Sequence, residues 1–108
     1  MDFDDRQALY KDLLEHNGKD KQIIKAIEEL GELQHELCRA VLGTPDIHHI
    51  TEEIADVEIM LEQIIGIFQI NKWNIPEEMY NKLTRTFIRL HEENEDEHKG
   101  CTGTTSKD

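Results

Sequence analysis

The feature that most constrains the fold is a long helical repeat of apolar residues in the middle of the chain. Apolar side chains recur there at intervals of three and four residues: Ile47, Ile50, Ile54, Val57, Leu61, Ile64 and Phe68. A half-buried strand needs apolar residues at every second position, whereas one face of a helix needs them at this longer interval. The spacing therefore predicts one helix from about Asp46 to about Gln69.

A second helix is predicted before it, over residues 20–43. Its apolar positions follow the same interval: Ile23, Ile27, Leu30, Leu37 and Val41. Asp20 suits the N-cap position because its side chain accepts a hydrogen bond from the first turn, and Gly43 suits the end of the helix. Gly31, inside this helix, leaves room for another backbone or a ligand to approach.

Two shorter patterns predict the first and last helices. The first holds Leu9, Leu13 and Leu14 and stops at His16–Gly18. Pro76 fits the first turn of the last helix, whose inward positions are Met79, Leu83, Phe87 and Leu90. From Glu93 onward the apolar residues disappear, so we predict one domain over residues 1–92 and a disordered polar tail over 93–108.

Four helices with short connections predict an all-α, four-helix bundle. The third helix is also apolar or small on its other side, at Ala55, Ile59 and Gly66. A chain of 108 residues has few helices with which to cover both sides. We therefore expect a homodimer or homotetramer, and a monomer with a doubly buried central helix is the alternative.

The charge of the chain limits its partners. The formal net charge is −12, which disfavours nucleic acid and anionic membranes and favours cations as ligands. A solvated acidic surface would explain the same charge. Cys38 and Cys101 have no metal-binding or disulfide spacing, and no apolar run approaches the roughly 20 residues that span a bilayer. These features predict reduced thiols and a cytoplasmic protein without a membrane role.

Two acidic residues of the third helix project toward its apolar face. At about 100° per residue, Glu53 falls between Ile64 and Met60, and Asp56 lies at the border of the apolar arc. The other glutamates of this helix, Glu52, Glu58 and Glu62, point elsewhere and are predicted to be solvated. In the second helix, Glu29 and Glu32 are neighbours at the edge of the apolar stripe.

If these two helices pack antiparallel, the two acid pairs meet. Like charges at close range either take up protons or bind cations, and ligation by oxygen atoms alone favours Mg²⁺ or Mn²⁺ over zinc. The alternative is that these glutamates lie at the rim of the bundle and serve helix propensity and solubility.

The motifs "EELGEL" at 28–33 and "EEIADVEIMLEQ" at 52–63 resemble those of the MazG-like all-α nucleoside triphosphate pyrophosphohydrolases. The signature of that family is Glu-x-x-Glu followed by Glu-x-x-Asp. Here the first pair is Glu29 and Glu32, the second is Glu53 and Asp56, and residues 33–52 lie between them. The resemblance covers about residues 20–90 and is closest to short single-domain proteins of bacteria and phages.

The resemblance implies a fold and a reaction. The fold is the four-helix, MazG-like bundle, which we expect to be completed by homo-oligomerisation, and the reaction is hydrolysis of a nucleoside triphosphate to the monophosphate and pyrophosphate. Glu29, Glu32, Glu53 and Asp56 would be the catalytic, metal-binding residues, with Mg²⁺ or Mn²⁺ as cofactor. Removal of aberrant nucleotides is the role that the family suggests.

Short members of this family also carry a Lys-x-x-Arg pattern on the last helix. Lys82 and Arg85 match it loosely, because Thr86 stands where an apolar residue often follows, and Arg89 lies one turn on. All three are candidates for binding phosphate oxygens. Basic residues near the end of a helix also stabilise its dipole, which is the alternative explanation.

The remaining candidates have weaker patterns. Trp73 and Tyr80 are candidates for stacking on a base, although a single tryptophan is more often a packing residue. His48 and His49 lack a third nitrogen or sulfur ligand at useful spacing for a metal site. A di-iron site would need Glu-x-x-His on two helices, and Glu32 and His35 supply one pair only. The non-enzymatic alternative is an acidic helical interaction module.

Overall fold

The computed structural model describes the backbone of residues 1–98 and the side chains of residues 1–93. This part of the chain contains four helices and no strand. The helices are α1 (Phe3–Asn17), α2 (Lys19–Val41), α3 (Ile47–Ile67) and α4 (Asn74–His98). The prediction of an all-α chain with four helices is confirmed for these residues.

Local hydrogen bonds explain where the helices begin. The Asp2 carboxylate accepts from the Asp5 amide at 2.8 Å and the Asp5 carboxylate accepts from the Asp2 amide, which closes a capping box on α1. Asp46 caps α3 by accepting from the His49 amide at 3.1 Å. Both devices use short acidic side chains to bond amides that the first turn leaves without partners.

Asp20 is not the N-cap of α2, so that prediction was wrong. The α2 helix begins at Lys19, and Gly18 occupies the N-cap position with φ of 88°. Only a single glycine separates α1 from α2, and its left-handed backbone makes the turn, so Asp20 already lies in the first helical turn. Gly43, with φ of 96°, follows the end of α2 as expected.

The chain divides into two compact units. The first, Met1–Ile70, contains α1, α2 and α3, and the second begins at Asn71 and contains α4. Pro76 lies in the first turn of α4, as predicted, and the helix continues past Glu93 to His98. Three glutamates in this stretch, Glu93, Glu95 and Glu97, favour a helix without a core to bury, which explains why the loss of apolar residues does not end it. The rest of the predicted tail, residues 99–108, lies outside the described residues.

In the first unit α2 and α3 form an antiparallel pair. The Gln22 amide near the start of α2 donates to Gln63 near the end of α3 at 2.7 Å. At the other end of the pair, Glu36 Oε1 of α2 lies 3.9 Å from His49 Nδ1 of α3. This register brings the middle of α2, including Glu29, against the middle of α3, including Asp56.

The buried face of these two helices differs from the predicted apolar stripes. Buried positions are Gln22, Ala26 and Glu36 on α2 and Val57, Met60 and Gln63 on α3. The stripe predicted for α2 stays largely exposed within the chain: Ile27 is 61% exposed, Leu30 47%, Leu37 48% and Val41 86%. Periodicity identifies the face of a helix that needs cover, but it does not identify what covers it.

The first helix packs against both others. Arg6 donates from Nε and from a terminal nitrogen to the Glu62 carboxylate at 3.3 and 3.2 Å, and the Tyr10 hydroxyl donates to the same group. Glu62 was predicted to be solvated and is instead the α3 partner of α1. The helical wheel of α3 alone carries no information on where α1 docks. Among the described residues, no helix combines the length and apolar character needed to cross a bilayer.

Candidate metal centre

Three of the four predicted carboxylates converge between α2 and α3. One carboxylate oxygen from each of Glu29, Glu53 and Asp56 lies within 4.8 Å of the other two. Glu53 and Asp56 share a face because they are three residues apart on α3, and the antiparallel register supplies Glu29 from α2. These three residues are called the carboxylate cluster below.

The fourth predicted residue, Glu32, lies beside the cluster. Its side chain is exposed and it is not one of the three that converge within 4.8 Å. Its charge nevertheless disfavours ionisation of Glu53 more than any other neighbouring charge does. Glu32 is therefore an exposed neighbour of the cluster and not one of its three converging members.

Glu53 occupies an unfavourable environment for a charged group. Its Oε2 is buried and has no hydrogen-bond partner among the described residues. Desolvation raises the pKa of the Glu53 carboxyl group, and the charges of Glu32, Asp56, Glu29 and Glu36 raise it further. A buried carboxylate oxygen without a donor costs free energy, so this position favours a proton or a cation.

Asp56 is perturbed in the same direction. Desolvation is the largest cause that raises its pKa, and the adjacent Glu29 carboxylate adds to it. The positive charge of Lys25 lowers the pKa of Asp56 and so opposes this shift. The Lys25 ammonium lies beside the cluster, 3.0 Å from Glu29 Oε1. One exposed lysine thus faces a cluster of three carboxylates, which leaves the cluster with an excess of negative charge.

The cluster fits a divalent cation that prefers oxygen. Mg²⁺–oxygen distances are about 2.0–2.1 Å, so two ligand oxygens on opposite sides of the ion are about 4 Å apart. The separations in the carboxylate cluster are at most 4.8 Å, so small side-chain movements would bring its oxygens to that spacing, and its donor set contains no nitrogen or sulfur. The unpartnered Glu53 Oε2 is an oxygen that such an ion would satisfy.

No family model, curated protein or solved structure matches this chain. The resemblance to MazG-like proteins therefore rests on the two acidic motifs and on the helices that carry them. The structure places both motifs on one antiparallel helix pair, where their acidic residues meet.

Two residues beside the cluster were missed by the sequence analysis as members of the site. Lys25 lies one turn before Glu29 and pairs with it. Glu36 lies one turn after Glu32, is buried, and contributes to the raised pKa of Glu53. The spacing of Lys25, Glu29, Glu32 and Glu36 at intervals of three and four was a signal that all four share one face of α2.

The predicted phosphate-binding residues lie on α4, in the second unit. Lys82 and Arg85 are exposed and Arg89 is half-buried, and their spacing places them along one side of the helix. Their role toward phosphate stays a prediction. Trp73 and Tyr80 are 72% and 71% exposed, and Lys72 Nζ lies 5.2 Å from the centre of the Trp73 ring.

The histidine pair before the cluster has acidic neighbours. His48 Nε2 lies 2.6 Å from Glu52 Oε1, and His49 Nδ1 lies 3.1 Å from Asp46 Oδ2. The two rings point to different carboxylates, with their centroids 6.1 Å apart. Cys38 is a free, exposed thiol on α2.

Proposed function

We propose that this protein is a Mg²⁺-dependent nucleoside triphosphate pyrophosphohydrolase, which cleaves its substrate between the α and β phosphates and releases the monophosphate and pyrophosphate. The observation that carries this proposal is the convergence of Glu29, Glu53 and Asp56 from two helices, together with a buried Glu53 oxygen that lacks a donor among the described residues. Two acid motifs that resemble those of MazG-like enzymes supply these residues.

The cluster's own chemistry agrees with this reaction. Glu29, Glu53 and Asp56 would hold the cation. When bound, Mg²⁺ would neutralise phosphate charge and lower the pKa of a water molecule. A carboxylate not occupied as a ligand accepts the proton of the attacking water. Glu32 suits that role because its side chain is exposed to solvent.

Cationic side chains complete the proposed substrate site. Lys25 lies beside the carboxylate cluster and is 54% exposed at its side chain, so its ammonium is able to turn from Glu29 to a phosphate. It also lines a cleft of about 450 Å³ between α1, α2 and α3, together with Asn17, Gln22 and Gln63. This cleft is large enough for a nucleoside.

The site is proposed to work in a homodimer or homotetramer, and a MazG-like bundle would be completed in this way. The exposed stripe of α2 supports this proposal, because five apolar residues share one open cleft: Leu30, Leu33, Leu37, Val41 and Leu42. Exposure of such a continuous apolar surface is costly in water. A second copy that covers it would bury the stripe that the sequence pattern marks as a core face.

The same surface favours one alternative function. An acidic helical module that docks a different protein on the α2 stripe would also need an exposed apolar cleft. In that case the carboxylate cluster would have no catalytic part. The two functions differ in what Mg²⁺ does, since only the enzyme requires it for turnover.

Release of pyrophosphate from a panel of canonical and modified nucleoside triphosphates tests the proposed function. We expect Mg²⁺-dependent release by the wild-type protein and at least about a 100-fold loss in Glu53→Gln and Asp56→Asn, since these remove ligands of the catalytic ion. Glu58→Gln, at an exposed position of the same helix, is the matched control and should keep full activity. No release from any substrate, with thermal stability indifferent to Mg²⁺, would favour the interaction module.

A further inference from the structure

The first helix buries less of itself than its two neighbours do. No residue of α1 is buried, and the structure describes the whole of that helix. Its half-buried side chains lie on one face at helical spacing: Arg6, Gln7, Tyr10, Leu13, Leu14 and Asn17. The α2 and α3 helices, in contrast, each have three buried residues. Because most helical stability in a protein comes from packing, α1 has the weakest support of the three.

Three hydrogen bonds attach α1 to one carboxylate of α3. Arg6 donates twice to Glu62, at 3.3 and 3.2 Å, and the Tyr10 hydroxyl donates to the same group. Desolvation and the bond to Glu62 raise the pKa of Tyr10, so this hydroxyl keeps its proton at neutral pH. The Arg6 and Glu62 side chains are 40% and 37% exposed, so water competes for their bonds. Glu62 therefore holds α1 by contacts that open at modest cost.

A single glycine joins α1 to α2. The Gly18 amide donates to the Leu14 carbonyl at 2.8 Å and ends α1, while Gly18 is also the N-cap of α2 and has no side chain to bond the first turn. Its φ of 88° and ψ of 159° are a combination that only glycine adopts readily. Hinges commonly lie at such small residues at the end of an element. Rotation at Gly18 moves α1 and leaves the helical bonds of α2 intact.

The inner face of α1 forms a wall of two spaces. Leu13 and Asn17 line the cleft of about 450 Å³, whose floor includes Met60. On its other side α1 lines a cavity of about 190 Å³ through four residues: Gln7, Tyr10, Lys11 and Leu14. Both spaces reach the buried side chains of Gln22 and Gln63. Movement of α1 would therefore open both spaces to solvent at once.

We propose that α1 is a hinged lid over the 450 Å³ cleft, with Gly18 as its hinge and Glu62 as its latch. An isolated helix of 15 residues is marginal in water, so α1 unravels when it leaves α2 and α3. The α2–α3 pair stays folded in this open state, and a ligand of nucleoside size enters the cleft. Such a lid would act on any ligand of the cleft and does not depend on the proposed function.

Amide hydrogen exchange of the full-length protein in low concentrations of urea tests the lid. We expect α1 amides to exchange through an opening that depends weakly on urea, because it exposes little surface, and α2 and α3 amides through a strongly urea-dependent unfolding. Val57→Ala, at a buried position of α3, should speed exchange in α2 and α3 by about tenfold and leave α1 exchange unchanged. Equal acceleration of all three helices would overturn the lid, since α1 would then open only when the unit unfolds.

Variants of the latch and the hinge should act on α1 directly. Glu62→Gln should speed α1 exchange by about fivefold or more, because a neutral amide accepts weaker hydrogen bonds than a carboxylate does. Glu58→Gln, exposed and one turn earlier on α3, is the matched control and should change nothing. Gly18→Ala should also speed α1 exchange, because alanine disfavours this backbone conformation although its Cβ meets no described atom within 4 Å. Wild-type α1 exchange in Glu62→Gln would rule out the latch.

Thiol labelling measures access to the cleft itself. Met60 is 5% exposed, so a Met60→Cys side chain should react with iodoacetamide only when the cleft opens. In a chain with Cys38→Ser and Cys101→Ser, we expect Glu62→Gln to speed this labelling by the same factor as α1 exchange and Val57→Ala to leave it unchanged. Labelling that accelerates with Val57→Ala would overturn the proposal, and circular dichroism checks that each variant is folded.

These measurements separate the lid from the proposed function, because they use neither Mg²⁺ nor a triphosphate. Selective opening of α1 in a protein that hydrolyses nothing would refute the proposed function alone. Pyrophosphate release by a protein whose α1 opens only with the whole unit would refute the lid alone.

Discussion

The hydrogen bond between Gln22 and Gln63 fixes the register that brings the carboxylates together, and its loss has a predictable cost. Both side chains are only 6% exposed, and the bond between them is 2.7 Å long. Gln63→Met keeps the length of the side chain but leaves the Gln22 amide donor buried without an acceptor. An unsatisfied buried donor costs about 1–3 kcal/mol of the free energy of unfolding.

The double substitution sharpens this prediction. With both residues replaced by methionine, neither buried glutamine amide is left without its partner, so the Gln22→Met/Gln63→Met protein should recover part of the stability lost by Gln63→Met. The recovery is incomplete because the half-buried Asn17 amide loses its acceptor, Gln22 Oε1. The two substitutions are therefore strongly non-additive, with a coupling energy of about 1–3 kcal/mol. For a unit of this size each kcal/mol lowers the melting temperature by about 4–8 °C.

Urea unfolding followed by circular dichroism measures these differences in the free energy of unfolding. All variants are compared at one protein concentration, because the stability of an oligomer depends on concentration. Gln7→Met, at a half-buried position of α1, is the matched control and should change stability by less than about 0.5 kcal/mol. A Gln63→Met protein as stable as the wild type would refute the reasoning. So would a double variant whose loss equals the sum of the two single losses.

Three further predictions follow from the site and its surroundings. In metal-free protein at neutral pH, Glu53→Gln should be more stable than the wild type, because a raised pKa in the folded state means that ionisation of Glu53 opposes folding. The gain in melting temperature should shrink as the pH falls toward the ordinary glutamate pKa of about 4.3. A gain that does not depend on pH would contradict this origin. Leu37→Glu places a charge in the exposed α2 stripe and should convert an oligomer to a monomer, as measured by light scattering. Glu58→Gln should leave the mass unchanged. An unchanged mass for Leu37→Glu would place the interface elsewhere. Gly31→Ala should raise the free energy of unfolding of the monomeric Leu37→Glu protein by about 0.5–1 kcal/mol, because alanine is a better helix former than glycine. A Cβ at Gly31 meets no atom of the described chain within 4 Å, so no clash opposes this gain. A destabilised variant would mean that another part of the chain packs there.

The helices were predictable from the sequence because each is encoded by its own local pattern. The apolar repeat from Ile47 to Phe68 gave α3 to within about two residues at each end. The turn at Gly18 showed the limit of this approach, since one glycine serves both as the end of α1 and as the start of α2. Residue preference alone favoured Asp20 as the N-cap of α2, because it does not account for a cap residue that two helices share.

The site was predictable in its membership more than in its arrangement. The wheel of α3 placed Glu53 and Asp56 on one face, and the antiparallel pairing brought Glu29 to them. Burial of Glu36 and docking of Arg6 on Glu62 depend on side-chain contacts between elements, which no single-helix pattern contains. The exposed α2 stripe follows from the same gap, because the pattern of α2 alone does not show which of its apolar residues the other helices leave exposed.

In the proposed reaction the carboxylate cluster directs water to the bond between the α and β phosphates. Phosphorus NMR of the products distinguishes this reaction from others, with the wild-type protein, Mg²⁺ and a nucleoside triphosphate in one tube. We expect resonances of nucleoside monophosphate and pyrophosphate that grow together and that are absent with Glu53→Gln. Formation of nucleoside diphosphate and inorganic phosphate, or equal turnover by Glu53→Gln, would contradict it.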